Sequence, residues 1–293
     1  MNEDLAQLIT LLVPQKIDDG LYEATNVPYN RHHIFGGQII AQSVSAAMQE
    51  SDQDMLIHSC HAYFLRMGKR DQNVQFDVQL IRQGRSFATR RVTALQDNKP
   101  IFETLLSFQK AQEGLAFQKP MPDVTPPEEL EDEMLRWNAH PKVRDIPDLL
   151  RTFLPLDVRH CGPMDWFEKE PASPKTGLWI KTKDKLPDDP SLHKIILSYL
   201  SDLMLCAAAL RPHGLTFQSP NLHGASLDHG LWFHDEFRAD EWLFYQQEGL
   251  WSGGSRGLNQ GTIYTRDGRH IASTMQEGLM RYTGELPDHT NRS

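Results

Sequence analysis

The sequence predicts an α+β fold built twice on one plan, in which a buried helix is followed by a run of antiparallel strands. Three observations carry that expectation. The two halves of the chain echo each other at a shift of about 170 residues, each half holds one long apolar helical stretch, and the segments after each helix alternate apolar with polar residues.

The echo is clearest where DNKPIFET, beginning at Asp97, lies over DGRHIAST, beginning at Asp267. Asp97 falls on Asp267, Ile101 on Ile271 and Thr104 on Thr274, while HAYFL at His61 lies over HGLWF at His229 and Gly84 over Gly254. The identities are few, and it is the matching order of strand patterns that makes duplication the better reading.

A short amphipathic helix opens the chain, with Leu5, Leu8, Ile9 and Leu12 on one face. In each half an early strand (20–25; 177–182) precedes a continuous apolar helix (36–48; 193–210). Val74, Phe76, Val78 and Leu80 alternate with Gln75, Asp77 and Gln79, the pattern of a half-buried antiparallel strand. Asp97-Asn98 and Asp267-Gly268 read as hairpin turns, the second suited to type I′. One helix wrapped by a curved antiparallel sheet, twice over, is a double hot-dog arrangement.

Twelve of the eighteen prolines fall in residues 119–190, a stretch that also carries an acidic cluster. Short helices are expected at Glu128–Met134 and Pro147–Phe153, and Trp137, Leu149, Leu150 and Trp166 argue for an ordered connection. The division expected is therefore residues 1–118, a Pro-rich acidic connection over 119–150, and residues 151–293.

A formal charge of −9 argues against a nucleic-acid surface, so an anionic ligand would need a local basic patch. Three cysteines without paired spacing, Cys60, Cys161 and Cys206, argue against a disulfide framework or a zinc site. The apolar residues near Met1 are too few and too acid-flanked for a signal peptide or membrane span, and the final HTNRS is no peroxisomal address. The expected setting is the cytoplasm.

Gly253-Gly254-Ser255-Arg256-Gly257 fits the serine-hydrolase pattern G-x-S-x-G. That pattern needs a strand before it and a helix after it, whereas strands follow here, so it is read as a turn. The histidines His32, His33, His58, His61, His229 and His234 lack metal-site spacing, and no metal is expected. Alternation would place His58 and His61 on opposite faces of a strand, and Asp228 and His229 likewise. Asp202 differs, because it interrupts the apolar run IILSYLSDLMLCAAAL. A carboxylate buried there needs hydrogen-bond partners or stays protonated, which fits either a structural cap or a reactive acid. Ser226 and Gln276, taken alone, read as satisfied polar residues of strand-like segments.

Around these residues, from Leu11 to Arg281, the chain resembles the type II acyl-CoA thioesterases, the bacterial thioesterase II enzymes and their peroxisomal relatives. The segments that carry the resemblance are FGGQ (35–38), HSCHAYFL (58–65), GRSFATRR (84–91), KPIF (99–102), SLDHGLWFH (226–234) and QEG (276–278). The resemblance implies a double hot-dog fold, hydrolysis of medium- to long-chain acyl-CoA without a cofactor, and a homo-oligomer, dimer or tetramer. It also implies an active site of an acid on the second central helix, a hydroxyl on the next strand and a glutamine on a late strand. Those positions match Asp202, Ser226 and Gln276; some relatives carry threonine where Ser226 stands.

Such a set suits water as nucleophile, with Asp202 as base and Ser226 and Gln276 holding the water. Gln38 and His58 are candidates to line the substrate pocket, and Arg85, Arg90, Arg91 and Arg256 to meet coenzyme A phosphates. The repeat places Asp202 over Gln38, Ser226 over His58 and Gln276 over Leu106, so one site per chain is expected. The rival readings are a hot-dog enoyl-CoA hydratase, which would need a histidine–acid pair, and a non-catalytic acyl-CoA-binding protein.

Overall fold

The computed structural model describes residues 1–26, 33–139, 153, 155–162 and 170–284. The first half runs α1 (Glu3–Leu12), β1 (Gln15–Asp18), β2 (Leu21–Ala24), α2 (Gly36–Gln49), β3 (Met55–Phe64), β4 (Val74–Gln83), β5 (Phe87–Gln96) and β6 (Lys99–Lys110). A 3₁₀ turn (Pro127–Glu129), α3 (Glu133–Ala139) and β7 (Leu156–His160) lead to the second half. There β8 (Lys175–Thr182), α4 (Pro190–Ser201), a 3₁₀ segment (Leu205–His213), β9 (Leu222–Ser226), β10 (Asp228–Phe233), β11 (Leu243–Gly253), β12 (Arg256–Thr265) and β13 (His270–Tyr282) follow.

Among the described residues all thirteen strands join one antiparallel sheet, ordered β1-β2-β4-β5-β6-β3-β10-β13-β12-β11-β8-β7, with β9 on β13. Outward from the centre, β3-β6-β5-β4-β2 on one side answers β10-β13-β12-β11-β8 on the other. The seam between the halves is β3 against β10, with Gly230 opposite His61 and Trp232 opposite Ser59. The repeat seen in the residues is thus a repeat of strand order.

Helix α2 is buried nearly all round, from Gly37 to Ala47, as its apolar composition requires. It packs against α4, with the Phe35 and Tyr199 rings edge-to-face at 5.1 Å. The α1 stripe is buried through Leu5, Leu8, Leu11 and Leu12, and Asn2 caps its first turn by accepting from the Leu5 N–H at 2.8 Å. In the connection, Glu128–Met134 divides into the 3₁₀ turn and α3 rather than forming one helix, and Trp137 stacks edge-to-face on Phe153 at 4.7 Å. The second expected helix there, Pro147–Phe153, falls outside the described residues except for Phe153, as do Leu149, Leu150, Trp166 and His32.

Three local expectations are corrected. The second apolar helix is not continuous: α4 ends at Ser201, Asp202 is its C-cap, and Met204 takes a left-handed conformation (φ 65°) before the 3₁₀ segment begins. The break is stable because strand side chains take up the released carbonyls. Tyr245 Oη donates to Ser201 O at 2.6 Å and Gln247 Nε2 to Leu203 O at 2.8 Å.

A β-bulge between Ile57 and Ser59 shifts the phase of β3, so His58 and His61 share the outer face instead of opposing each other. The type I′ turns also lie elsewhere. Asp97 and Asn98 both have positive φ, as do Gly254 and Ser255, whereas the Asp267-Gly268 loop is a longer one closed by Gly268 (φ 89°) and the Thr265–Arg269 backbone hydrogen bond. The G-x-S-x-G segment is therefore the β11–β12 hairpin turn, with Gly253 paired to Arg256.

Candidate active site

The break in the second helix sets Asp202 at a helix end that faces the start of another helix. Its carboxylate is almost wholly buried (9% exposed) and takes a partner on each oxygen. Gly37 N–H, in the first turn of α2, donates to Oδ2 at 2.8 Å, and Gln276 Nε2 donates to Oδ1 at 2.6 Å. Gly36 and Gly37 are what permit the approach. A Cβ at Gly36 would lie 2.6 Å from Asp202 Oδ2, and one at Gly37 would lie 2.3 Å from the Tyr199 carbonyl oxygen. The α2 N-terminus carries no side-chain cap, so its partial positive charge is directed at this carboxylate.

Gln276 projects from β13 and is completely buried. Its amide nitrogen bridges two acceptors, Asp202 Oδ1 and, at 2.9 Å, the Ser226 hydroxyl. Ser226 is the last residue of β9, paired with Gly278, and remains partly open at the bulge that separates β9 from β10. The Cys206 thiol lies against the Ser226 hydroxyl, and burial with the nearby charges of Asp202 and Asp228 holds it protonated, well above its ordinary range.

Burial pushes the Asp202 carboxyl up from 3.8 to about 6, against the lowering effect of the Gln276 and Gly37 hydrogen bonds. The group is thus ionised at neutral pH yet far more basic than a surface aspartate. An acid poised in this way, beside a hydroxyl and an amide held by the same hydrogen bonds, can position a water and take its proton. The three residues singled out in the sequence meet here.

The remaining candidates are dispersed. Gln38 is buried in α2, where its amide donates to Asn26 Oδ1 at 2.8 Å. His58 bonds Ser107 Oγ at 2.8 Å on the outer face of the sheet, and burial lowers its imidazole. Arg85 is exposed in the β4–β5 turn, Arg90 is buried and donates to Glu50 O at the end of α2, and Arg91 bonds Gln79. Arg256 pairs with Glu277, on the opposite face of β13 from the buried Gln276.

Asp228 and His229 diverge as alternation requires: Asp228 Oδ1 accepts from Glu277 N–H at 2.7 Å, while the His229 ring is buried inside and meets Ser201 Oγ at 3.0 Å. Reading the residues alone missed the roles of Gly36, Gly37 and Tyr245; the Gly-Gly pair at a helix start was the available signal.

Comparison with known proteins identifies the family. Residues 161–279, which contain Asp202, Ser226 and Gln276, match the family described as acyl-CoA thioesterase, and residues 25–109 match the acyl-CoA thioesterase N-terminal domain. The chain is 35% identical to acyl-CoA thioesterase 2 of Haemophilus influenzae, over 97% of this chain and all of that one. It belongs to the acyl-CoA thioesterase family.

Human acyl-coenzyme A thioesterase 8 is 34% identical over 95% of this chain and 90% of its own length. Among solved structures, the acyl-CoA thioesterase II TesB2 of Mycobacterium marinum superposes with a TM-score of 0.78 at 36% identity, covering 94% of this chain and 98% of that one. A hot-dog protein of unknown function from Alicyclobacillus acidocaldarius, at 17% identity, superposes equally well (TM-score 0.78) and shows the fold alone. In this acyl-CoA thioesterase family member the hot-dog fold is therefore common ground, and the candidate site lies where one half's helix start meets the other half's helix end.

Proposed function

We propose that the chain hydrolyses medium- to long-chain acyl-CoA to free fatty acid and coenzyme A, as a double hot-dog with one site per chain. The observation that carries this reading is the Gln276 amide, which ties the Asp202 carboxylate to the Ser226 hydroxyl. A water bonded to Asp202 and Ser226 attacks the thioester carbonyl while Asp202 accepts its proton. The carbon–oxygen bond forms, the tetrahedral intermediate expels the thiolate, and the proton passes from Asp202 to the departing sulfur, so atoms and charge balance. The uncapped start of α2 supplies a positive field for the oxyanion.

Water rather than Ser226 is the nucleophile in this scheme, because the described residues place no histidine base on the Ser226 hydroxyl. The same arrangement disfavours enoyl-CoA hydration, since the hydrogen-bond partners of Asp202 are an amide side chain and a backbone N–H. Arg256, half-exposed beside Glu277, stays a proposed contact for a coenzyme A phosphate. A homo-oligomer remains part of the proposal on family grounds, and a cytoplasmic setting on the three cysteines without paired spacing. Thiol release from a saturated acyl-CoA, assayed beside hydration of an enoyl-CoA and in the presence of chelator, tests it. Release of coenzyme A without metal is the expected result; consumption of enoyl-CoA alone, or loss of turnover with chelator, contradicts it.

A further inference from the structure

The Gln276 amide can serve its two acceptors in only one orientation. Both of its N–H groups are committed, to Asp202 and to Ser226, so the amide oxygen must face the other way. Turned over, it would set a carbonyl oxygen against a carboxylate. Something must therefore select the orientation, and the buried Oε1 has no hydrogen bond of strict geometry in the chain.

The β10–β13 ladder shows what lies opposite. Gly230 pairs with Met275 and Leu231 with Thr274, so one step further along the same register His229 faces Gln276. Both side chains are buried to within 1% of completely, and His229 Nδ1 is likewise left without a strict partner. The register therefore sets the two buried side chains against each other across the ladder. On its far side, His229 Nε2 meets the Ser201 hydroxyl at 3.0 Å, and Ser201 is the residue before Asp202.

We infer that His229 is a positioning residue, a neutral imidazole whose Nδ1–H donates to Gln276 Oε1 and so holds the amide with its nitrogen toward Asp202 and Ser226. Nε2 then accepts the single Ser201 hydroxyl proton, for which the Ser198 carbonyl, 2.8 Å from the same oxygen, is the competing acceptor. A chain of hydrogen bonds then runs from Ser201 through His229 and Gln276 to the Asp202 carboxylate. His229 touches neither the water nor the substrate. Burial lowers its imidazole to about 4, so it stays neutral across the working range.

The inference rests on the assignment of Asp202, Ser226 and Gln276 as the water-activating set, and the test separates the two. The variants are His229→Asn, whose amide nitrogen occupies the place of Nδ1, His229→Gln, whose nitrogen occupies the place of Nε2, and His229→Leu, with Asp202→Asn as control. The measurements are kcat, KM and the acid limb of kcat/KM for a saturated acyl-CoA, with thermal unfolding to establish folding. The other titratable groups that feel the Asp202 charge, Cys206 and Tyr245, are held neutral by burial, so the limb near pH 6 reports Asp202.

His229→Leu and His229→Gln are expected to lose kcat by about tenfold or more, the scale of one hydrogen bond to a charged group, with KM little changed. Their acid limb should move to higher pH as the carboxylate loses its Gln276 donor. His229→Asn should retain most of kcat and the original limb. An unmoved limb in a folded His229→Leu, or equal impairment of the Asn and Gln variants, overturns the inference. Should the Leu variant not fold, the Asn–Gln comparison decides alone. Near-normal turnover in Asp202→Asn would overturn the assignment of the site itself.

Discussion

At the scale of single residues, the proposed chemistry follows from placing one carboxylate where water is scarce but donors remain. Asp202 keeps two hydrogen-bond donors, yet burial still raises it from 3.8 to about 6. Its proton affinity is thus matched to accepting a proton from water near neutral pH. The pH profile of kcat/KM should show an acid limb near pH 6, lost in Asp202→Asn, and a limb near pH 4 would mean that the carboxylate is not the base.

The same shift has a stability cost whose sign is fixed. Between pH 3.8 and about 6 the folded chain holds this proton more tightly than the unfolded chain, so the stability Asp202 contributes is present below 3.8 and lost as pH rises through about 6. The penalty above that range is at most roughly 3 kcal/mol. Asp202→Asn should therefore unfold a few degrees above the parent at pH 8, and the gap should close toward pH 4 in thermal melts. The candidate set of Asp202, Ser226 and Gln276 was readable from one sequence, the first because a carboxylate stood in an apolar run and all three because of the family resemblance. His229 was not, because nothing local distinguishes a buried strand histidine until its cross-strand neighbour is known.

Among the elements, the decisive feature is the break after α4. No proline or glycine marks it in IILSYLSDLMLC, and local preference favours continued helix. Tertiary contacts override that preference, since Tyr245 and Gln247 of β11 take the freed carbonyls of Ser201 and Leu203. Their identity as partners is invisible until β11 is placed under the helix. Gln247→Leu should leave the buried Leu203 carbonyl unsatisfied and cost about 1–3 kcal/mol, read from chemical denaturation.

The facing element imposes a steric demand as well. Gly37→Ala sets a Cβ 2.3 Å from the Tyr199 carbonyl, so α2 must withdraw and the Gly37–Asp202 hydrogen bond must weaken. This variant should lose both stability and kcat, and parental values for both would show that the helix approach is not required. The bulge in β3 and the loop at Gly268 were illegible for a related reason: register shifts arise from pairing across strands, which alternation within one strand does not encode.

At the scale of the whole molecule, strand order repeats while the proposed chemistry does not. The halves meet at β3 and β10, and the candidate site draws Asp202, Ser226 and Gln276 from the second half and the Gly37 N–H from the first. The first-half positions that answer the three site residues, Gln38, His58 and Leu106, hold no carboxylate, and Leu106 is fully buried core. The duplication was legible because it rests on element order, and the asymmetry because an acid in one repeat falls on an amide in the other. Substitution of Gln38 or His58 should change KM or stability more than kcat, and a non-hydrolysable acyl-CoA analogue should titrate one productive site per chain. The most direct test of a single Asp202-centred site is steady-state release of coenzyme A by Asp202→Asn. A loss of roughly 10²–10⁴ in kcat with analogue binding retained is the predicted result. Near-parental kcat, or survival of about half the activity, would show that the reaction is carried elsewhere or in both halves.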